Sequence, residues 1–115
     1  MSEGQPGRGR TRSILEIRES VDGARHTLVL IGELDLSSAP ELEARVGEIV
    51  SQAREIVLDL RDLSFMDSSG IRAILLSYEL CARSECDLGL LSGRPNVQRL
   101  FEVSGLADLL PFVKP

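Results

Sequence analysis

Apolar positions change spacing several times along the chain, and each change predicts an element. Residues 14–19 alternate imperfectly, with Ile14, Glu16 and Arg18 set against Leu15, Ile17 and Glu19, which reads as an edge strand. Asp22-Gly23 is a tight-turn signal, so residues 26–31 should return as the second strand of a hairpin. Leu42, Val46, Ile49, Val50 and Ala53 then recur at helical spacing. Ser38 with Glu41 three residues on has the letters of a capping box, and Pro40 suits a first helical turn. Residues 55–60 (Glu-Ile-Val-Leu-Asp-Leu) form a short, mostly apolar run, the signature of a strand buried on both faces. Ile71, Ile74, Leu75, Tyr78 and Ala82 mark a second helix, and residues 88–92 a further strand opened by Asp87. Gly93-Arg94-Pro95-Asn96 is a turn, after which Val97, Leu100 and Phe101 form the inner face of a third helix stopped by Ser104-Gly105. Leu106, Leu109, Leu110 and Phe112 complete a short amphipathic tail in which Pro111 limits any helix. The order predicts one α/β domain with a small mixed sheet. Its 55–60 and 88–92 strands should run parallel through a right-handed crossover.

Composition narrows the class. The chain has 115 residues, enough for one core and too few for two. With no tryptophan, one tyrosine and three phenylalanines, that core must be aliphatic. Residues 1–12 hold Arg8, Arg10 and Arg12 against Glu3 and no apolar residue after Met1, and are expected to be a disordered basic arm. Of 13 basic and 18 acidic side chains, 10 and 17 therefore fall in residues 13–115. That surplus argues against direct nucleic-acid binding and for a basic protein surface as partner. Neither an apolar leader nor a run near 20 apolar residues is present, so a cytoplasmic protein with no membrane partner is expected. Cys81 and Cys86 match neither a redox CxxC nor zinc spacing and should be reduced, partly buried thiols. The single histidine, His26, sits beside a turn and is expected to be solvated.

Chemistry concentrates where the central strand hands over to the second helix, at Phe65-Met66-Asp67-Ser68-Ser69-Gly70-Ile71. Here a hydroxyl stands at a helix entrance, where backbone N–H groups point outward unpaired. Asp and Ser are favoured N-caps, and plain capping accounts for the letters Asp-Ser-Ser-Gly on their own. Enzymatic alternatives lack parts. Met66 stands where a nucleophile elbow needs glycine, and the lone histidine is remote. A phosphate-binding P-loop needs a Gly-rich loop ending in lysine, and Lys114 is the only lysine. A phospho-aspartate receiver built on Asp59 would need an acidic metal cluster and a later lysine. No enzyme, cofactor or metal is expected.

Three blocks carry a resemblance. They are Gly32-Glu33-Leu34-Asp35 with Ala39-Pro40-Glu41-Leu42, Leu58-Asp59-Leu60 leading to Phe65-Met66-Asp67-Ser68-Ser69-Gly70, and Val97-Gln98-Arg99-Leu100-Phe101 with Ser104-Gly105-Leu106. In order and spacing they resemble the STAS-domain anti-sigma factor antagonists over about residues 14–112. The resemblance implies a STAS-like α/β domain over residues 13–115, with a four- to five-stranded mixed sheet and helices packed against it. It also implies partner switching in transcription regulation. The unphosphorylated protein binds a serine-kinase anti-sigma factor and frees a sigma factor; phosphorylation of the hydroxyl after the aspartate, here Ser68, reverses this, and a serine phosphatase restores it. The alternative is a STAS scaffold or accessory subunit of a signalling or transporter complex that uses the same face without phosphate. The partner-binding set expected on these grounds is Glu33, Asp35, Ser38, Asp67, Ser68, Ser69, Gly70 and Arg72. Within it, Asp67 either caps the helix or orients the acceptor, Ser69 is a second cap or a spare acceptor, and Gly70 keeps the approach to Ser68 open. Arg72 departs from the family, where small residues are usual, and at four residues from Ser68 it shares a helical face.

Overall fold

A computed structural model describes residues 14–114; the expected arm at residues 1–12 lies outside them. Five strands and three helices follow in the order β1 (Leu15–Asp22), β2 (Arg25–Leu34), α1 (Ala39–Ile49), β3 (Glu55–Met66), α2 (Ser68–Arg83), β4 (Asp87–Leu91), α3 (Pro95–Val103) and β5 (Phe112–Val113). The strands form one sheet in sequence order, antiparallel between β1 and β2 and parallel thereafter. No helix among the described residues is long and apolar enough to cross a membrane.

The β1–β2 hairpin turns at Gly23, whose φ of +64° is cheap only for glycine. Alternation along the sheet sends Leu28, Leu30, Ile56, Leu58 and Leu90 to one face, where all five are fully buried under the helices. The α1 stripe fills that core as its spacing predicts, with Leu42, Val46, Ile49, Val50 and Ala53 all buried. Phe101 of α3 is 0% exposed and meets the Phe112 ring of β5 edge-on, centroids 5.1 Å apart. The tail expected after α3 is thus partly a fifth strand, and of the stripe Leu106, Leu109, Leu110 and Phe112 Leu109 is the one exposed.

Three expectations are corrected. β3 does not end at residue 60 but runs to Met66. Its buried residues Leu60, Leu63 and Met66 are three apart, which breaks the two-residue alternation of a strand. The register explains this: Val29 and Ile31 of β2 pair with Asp59 and Asp62, and Gly32 and Glu33 with Leu63 and Phe65. At each shift β3 spends one more residue than its partner, and each bulge returns the next apolar side chain to the core.

The inner face of α2 is likewise rotated from the expected one. Gly70, Ala73, Ile74, Ser77 and Cys81 are buried, whereas Ile71 and Leu75 are half-buried and Tyr78 and Ala82 exposed. Small side chains let the helix approach closely, and the larger ones flank the contact. Ser77 is buried without cost because its hydroxyl donates to the Ala73 carbonyl at 2.9 Å.

His26, finally, is not solvated. It is 7% exposed, and its Nδ1 lies 2.7 Å from Oε2 of Glu19 on the neighbouring strand. Arg45 of α1 reaches the other oxygen of Glu19 at 3.5 Å. The histidine belongs to a polar link between hairpin and helix.

Candidate functional site

The parallel pairing of β2 with β3 ends at Leu34 opposite Met66, so the segments leaving both strands lie side by side. The Asp67 backbone N–H donates to the Leu34 carbonyl at 3.3 Å and fastens them. β2 leads into a tight polar turn centred on Asp35. Its carboxylate accepts from the Ser37 hydroxyl at 2.8 Å and from the backbone N–H groups of Ser37 and Ser38 at 2.9 and 3.3 Å. The Ser37 hydroxyl, helped by those backbone bonds, holds the Asp35 carboxyl below its ordinary value. Ser38 is 1% exposed; its hydroxyl donates to the Glu33 carbonyl at 2.8 Å and accepts from the Asp35 N–H at 3.0 Å.

That geometry corrects the capping-box assignment. Ser38 is the N-cap residue of α1, but its side chain makes no cap bond, because the turn has already claimed the hydroxyl. Buried at this position, Ser38 shapes the loop, and the half-buried Asp35 braces the same turn with its carboxylate. Glu33 is exposed, as a contact residue must be.

Asp67 is the true cap of α2, accepting from the N–H groups of Ser69 at 2.8 Å and Gly70 at 3.4 Å. The N–H groups expected to be free at the helix entrance are therefore mostly taken. Replacing Asp67 with Ala should lower stability by about 1 kcal/mol, the ordinary worth of such a cap. A change under about 0.3 kcal/mol in chemical denaturation would show that the cap is idle.

Ser68 is exposed, and among the described residues its hydroxyl has no hydrogen-bond partner; Ser69 is half-buried. Gly70 is buried, for a reason other than the one expected. A Cβ there would collide with Met66 Cγ and sit 2.9 Å from the Leu34 carbonyl oxygen. The glycine lets α2 close on the end of β2; it does not clear a path above Ser68. Arg72 is exposed and has no carboxylate within ion-pair distance among the described residues.

Leu36, Ser68, Ser69, Ile71 and Arg72 together line an open depression, so the loop after β2 and the entrance of α2 make one surface. The sequence reading missed Leu36, which is 77% exposed, and Phe65, also in solvent. An apolar residue in a polar turn was the available signal. Among the described residues no cluster of three His, Cys, Asp or Glu side chains is placed to hold a metal ion.

The family model described as the STAS domain matches residues 14–114. The anti-sigma F factor antagonist of Paenibacillus polymyxa is 36% identical over 84 residues, covering 71% of this chain and 72% of that protein. The anti-sigma factor antagonist SpoIIAA in its unphosphorylated form superposes with a TM-score of 0.74 at 24% identity, over 88% of this chain and 87% of its own. The phosphorylated form of the Bacillus protein gives 0.69 at 23% identity, over 88% and 90%. At those identities the two structures speak for the fold.

Proposed function

The chain belongs to the STAS domain family, and from that premise we propose that it is an anti-sigma factor antagonist switched by phosphorylation of Ser68. Unphosphorylated, it binds a serine-kinase anti-sigma factor and so releases a sigma factor; the kinase transfers phosphate to Ser68, and a serine phosphatase removes it. One observation carries the reading: of the two adjacent hydroxyls, Ser68 stands in solvent without a partner among the described residues, on the surface that Leu36, Ile71 and Arg72 complete. Apolar Leu36 and Phe65 supply area to bury, and the exposed Glu33 supplies charge for a basic partner. The solved phosphorylated form of SpoIIAA supports the view that this fold carries such a group without refolding.

The test is a binding assay with a purified kinase-type anti-sigma factor and ATP, followed by mass analysis of the modified site. Phosphate should appear on Ser68, Ser68→Ala should bind whether or not ATP is present, and phosphate on Ser69 instead would overturn the assignment.

Arg72 tunes the switch. A phosphate on Ser68 gains little from backbone N–H groups, since Asp67 already occupies those of Ser69 and Gly70. Arg72, one turn on and without a carboxylate partner among the described residues, is the cation within reach. By pairing with the phosphate it masks part of the new charge from the partner. An exposed pair is worth about 0.2–1 kcal/mol, so Arg72→Gly should widen the affinity gap between the two phospho-forms by about 1.4- to fivefold. An unchanged gap would dismiss the idea.

A further inference from the structure

The far end of α2 holds two thiols that the switch does not use. The helix closes with the Cys86 N–H donating to the Cys81 carbonyl at 2.9 Å and the Glu85 N–H to that of Ala82 at 3.5 Å. Glu85 between them has φ of +58°. This is a Schellman closure, which brings the side chains three places before and two after the helix cap into contact. In most helices that contact is between hydrocarbon groups; here both positions are cysteine, and both are buried and free. They line an open cleft of about 360 Å³ with Tyr78, Ala82, Asp87, Leu88 and Pro111, so a small solute reaches them.

We propose that Cys81 and Cys86 are a dithiol site that a hydroperoxide oxidises to an intramolecular disulfide. The closure already holds the two backbones within one hydrogen bond of each other, inside the span that a disulfide bridges. Burial, and after it the neighbouring Cys86, pushes the Cys81 thiol up to about 12. Burial raises Cys86 as well, and Cys86 is the less deeply buried of the two sulfurs, 5% against 1% exposed, so it meets an incoming peroxide first.

The Cys86 thiolate attacks one peroxide oxygen. The O–O bond breaks, the other oxygen leaves and takes a proton as water, and Cys86 becomes a sulfenic acid. The Cys81 sulfur then attacks the Cys86 sulfur, and the S–O bond breaks. The hydroxyl departs as a second water with the Cys81 proton. Two thiols thereby lose two electrons to the peroxide. A neutral disulfide suits this apolar site better than a metal thiolate, whose charge the same burial penalises. Cys81 lies about 20 Å along α2 from Ser68, so the inference is independent of the phosphorylation reading.

The full chain, freed of reductant, is treated with hydrogen peroxide, denatured, alkylated with N-ethylmaleimide and weighed intact. Before oxidation it should take two maleimides. Afterwards it should take none, the peptide linking Cys81 and Cys86 should be lighter by two hydrogen atoms, and the chain should remain a monomer on a non-reducing gel. The rate should rise about tenfold per pH unit near neutrality, following the thiolate fraction. Persistence of both thiols, added oxygen atoms located on either cysteine by peptide mapping, or a disulfide-linked dimer would each overturn the proposal. Because the native protein is the sample, the result does not depend on a variant folding.

Discussion

Phosphate on Ser68 should weaken the complex with a serine-kinase anti-sigma factor about a thousandfold. That loss corresponds to about 4 kcal/mol. The modification brings roughly 1.5 to 2 negative charges. A unit charge about 5 Å from a partner carboxylate costs roughly 3 kcal/mol at an effective dielectric of 20, so one facing carboxylate and the bulk of the phosphate suffice. Nothing in the fold has to move: Ser68 is in solvent and, among the described residues, its hydroxyl holds no bond that phosphate would break. Titration calorimetry with the two phospho-forms measures the ratio. A difference under tenfold, with both forms folded, would mean that Ser68 lies outside the interface.

The second large effect is on stability. Phe101→Ala should cost about 3–5 kcal/mol, the range for emptying a fully buried aromatic site. Phe101 is the hinge of the C-terminal third. Its ring packs on Phe112, and its carbonyl accepts the N–H groups of Leu106 at 2.8 Å and Ala107 at 3.0 Å, which turn the chain back toward β5. Against a total stability of about 5–15 kcal/mol this loss should move a urea midpoint far toward zero. A cost below about 1 kcal/mol would mean that the site collapses and the ring pair matters little. Affinity per folded molecule should be unaffected, since Phe101 is not among the residues lining the Ser68 depression.

What could be read from the sequence divides along physical lines. The α1 stripe, the hairpin turn at Gly23 and the parallel pairing of β3 with β4 were legible because a periodic pattern or one special backbone position announces each. The Asp67 cap was legible as an option, since an N-cap needs only the right letter at a helix entrance. The α2 contact face was not, because Gly70, Ala73 and Ser77 are buried for their smallness and carry no hydrophobic signal. β3 looked short because two bulges remove the alternation by which a strand is recognised. Ser38 and Glu41 have the letters of a capping box, yet the tertiary turn around Asp35 competes for the same hydroxyl and wins. His26 became a buried partner of Glu19 only through cross-strand placement, which a local reading does not contain. The surface role of Leu36 needed the knowledge that the end of β2 faces the start of α2.

The paired irregularities of β3 fix a chain length. Between Leu60 and Met66 they work as two spacers that set the phase at which the backbone enters α2. Removing a single residue there, even one as exposed as Arg61 or Ser64, would send Met66 to the opposite side of the sheet and carry the helix entrance with it. In this stretch a change of residue count is therefore far more damaging than a change of residue type, and orientation of the Ser68 hydroxyl is inherited from arithmetic in the strand before it.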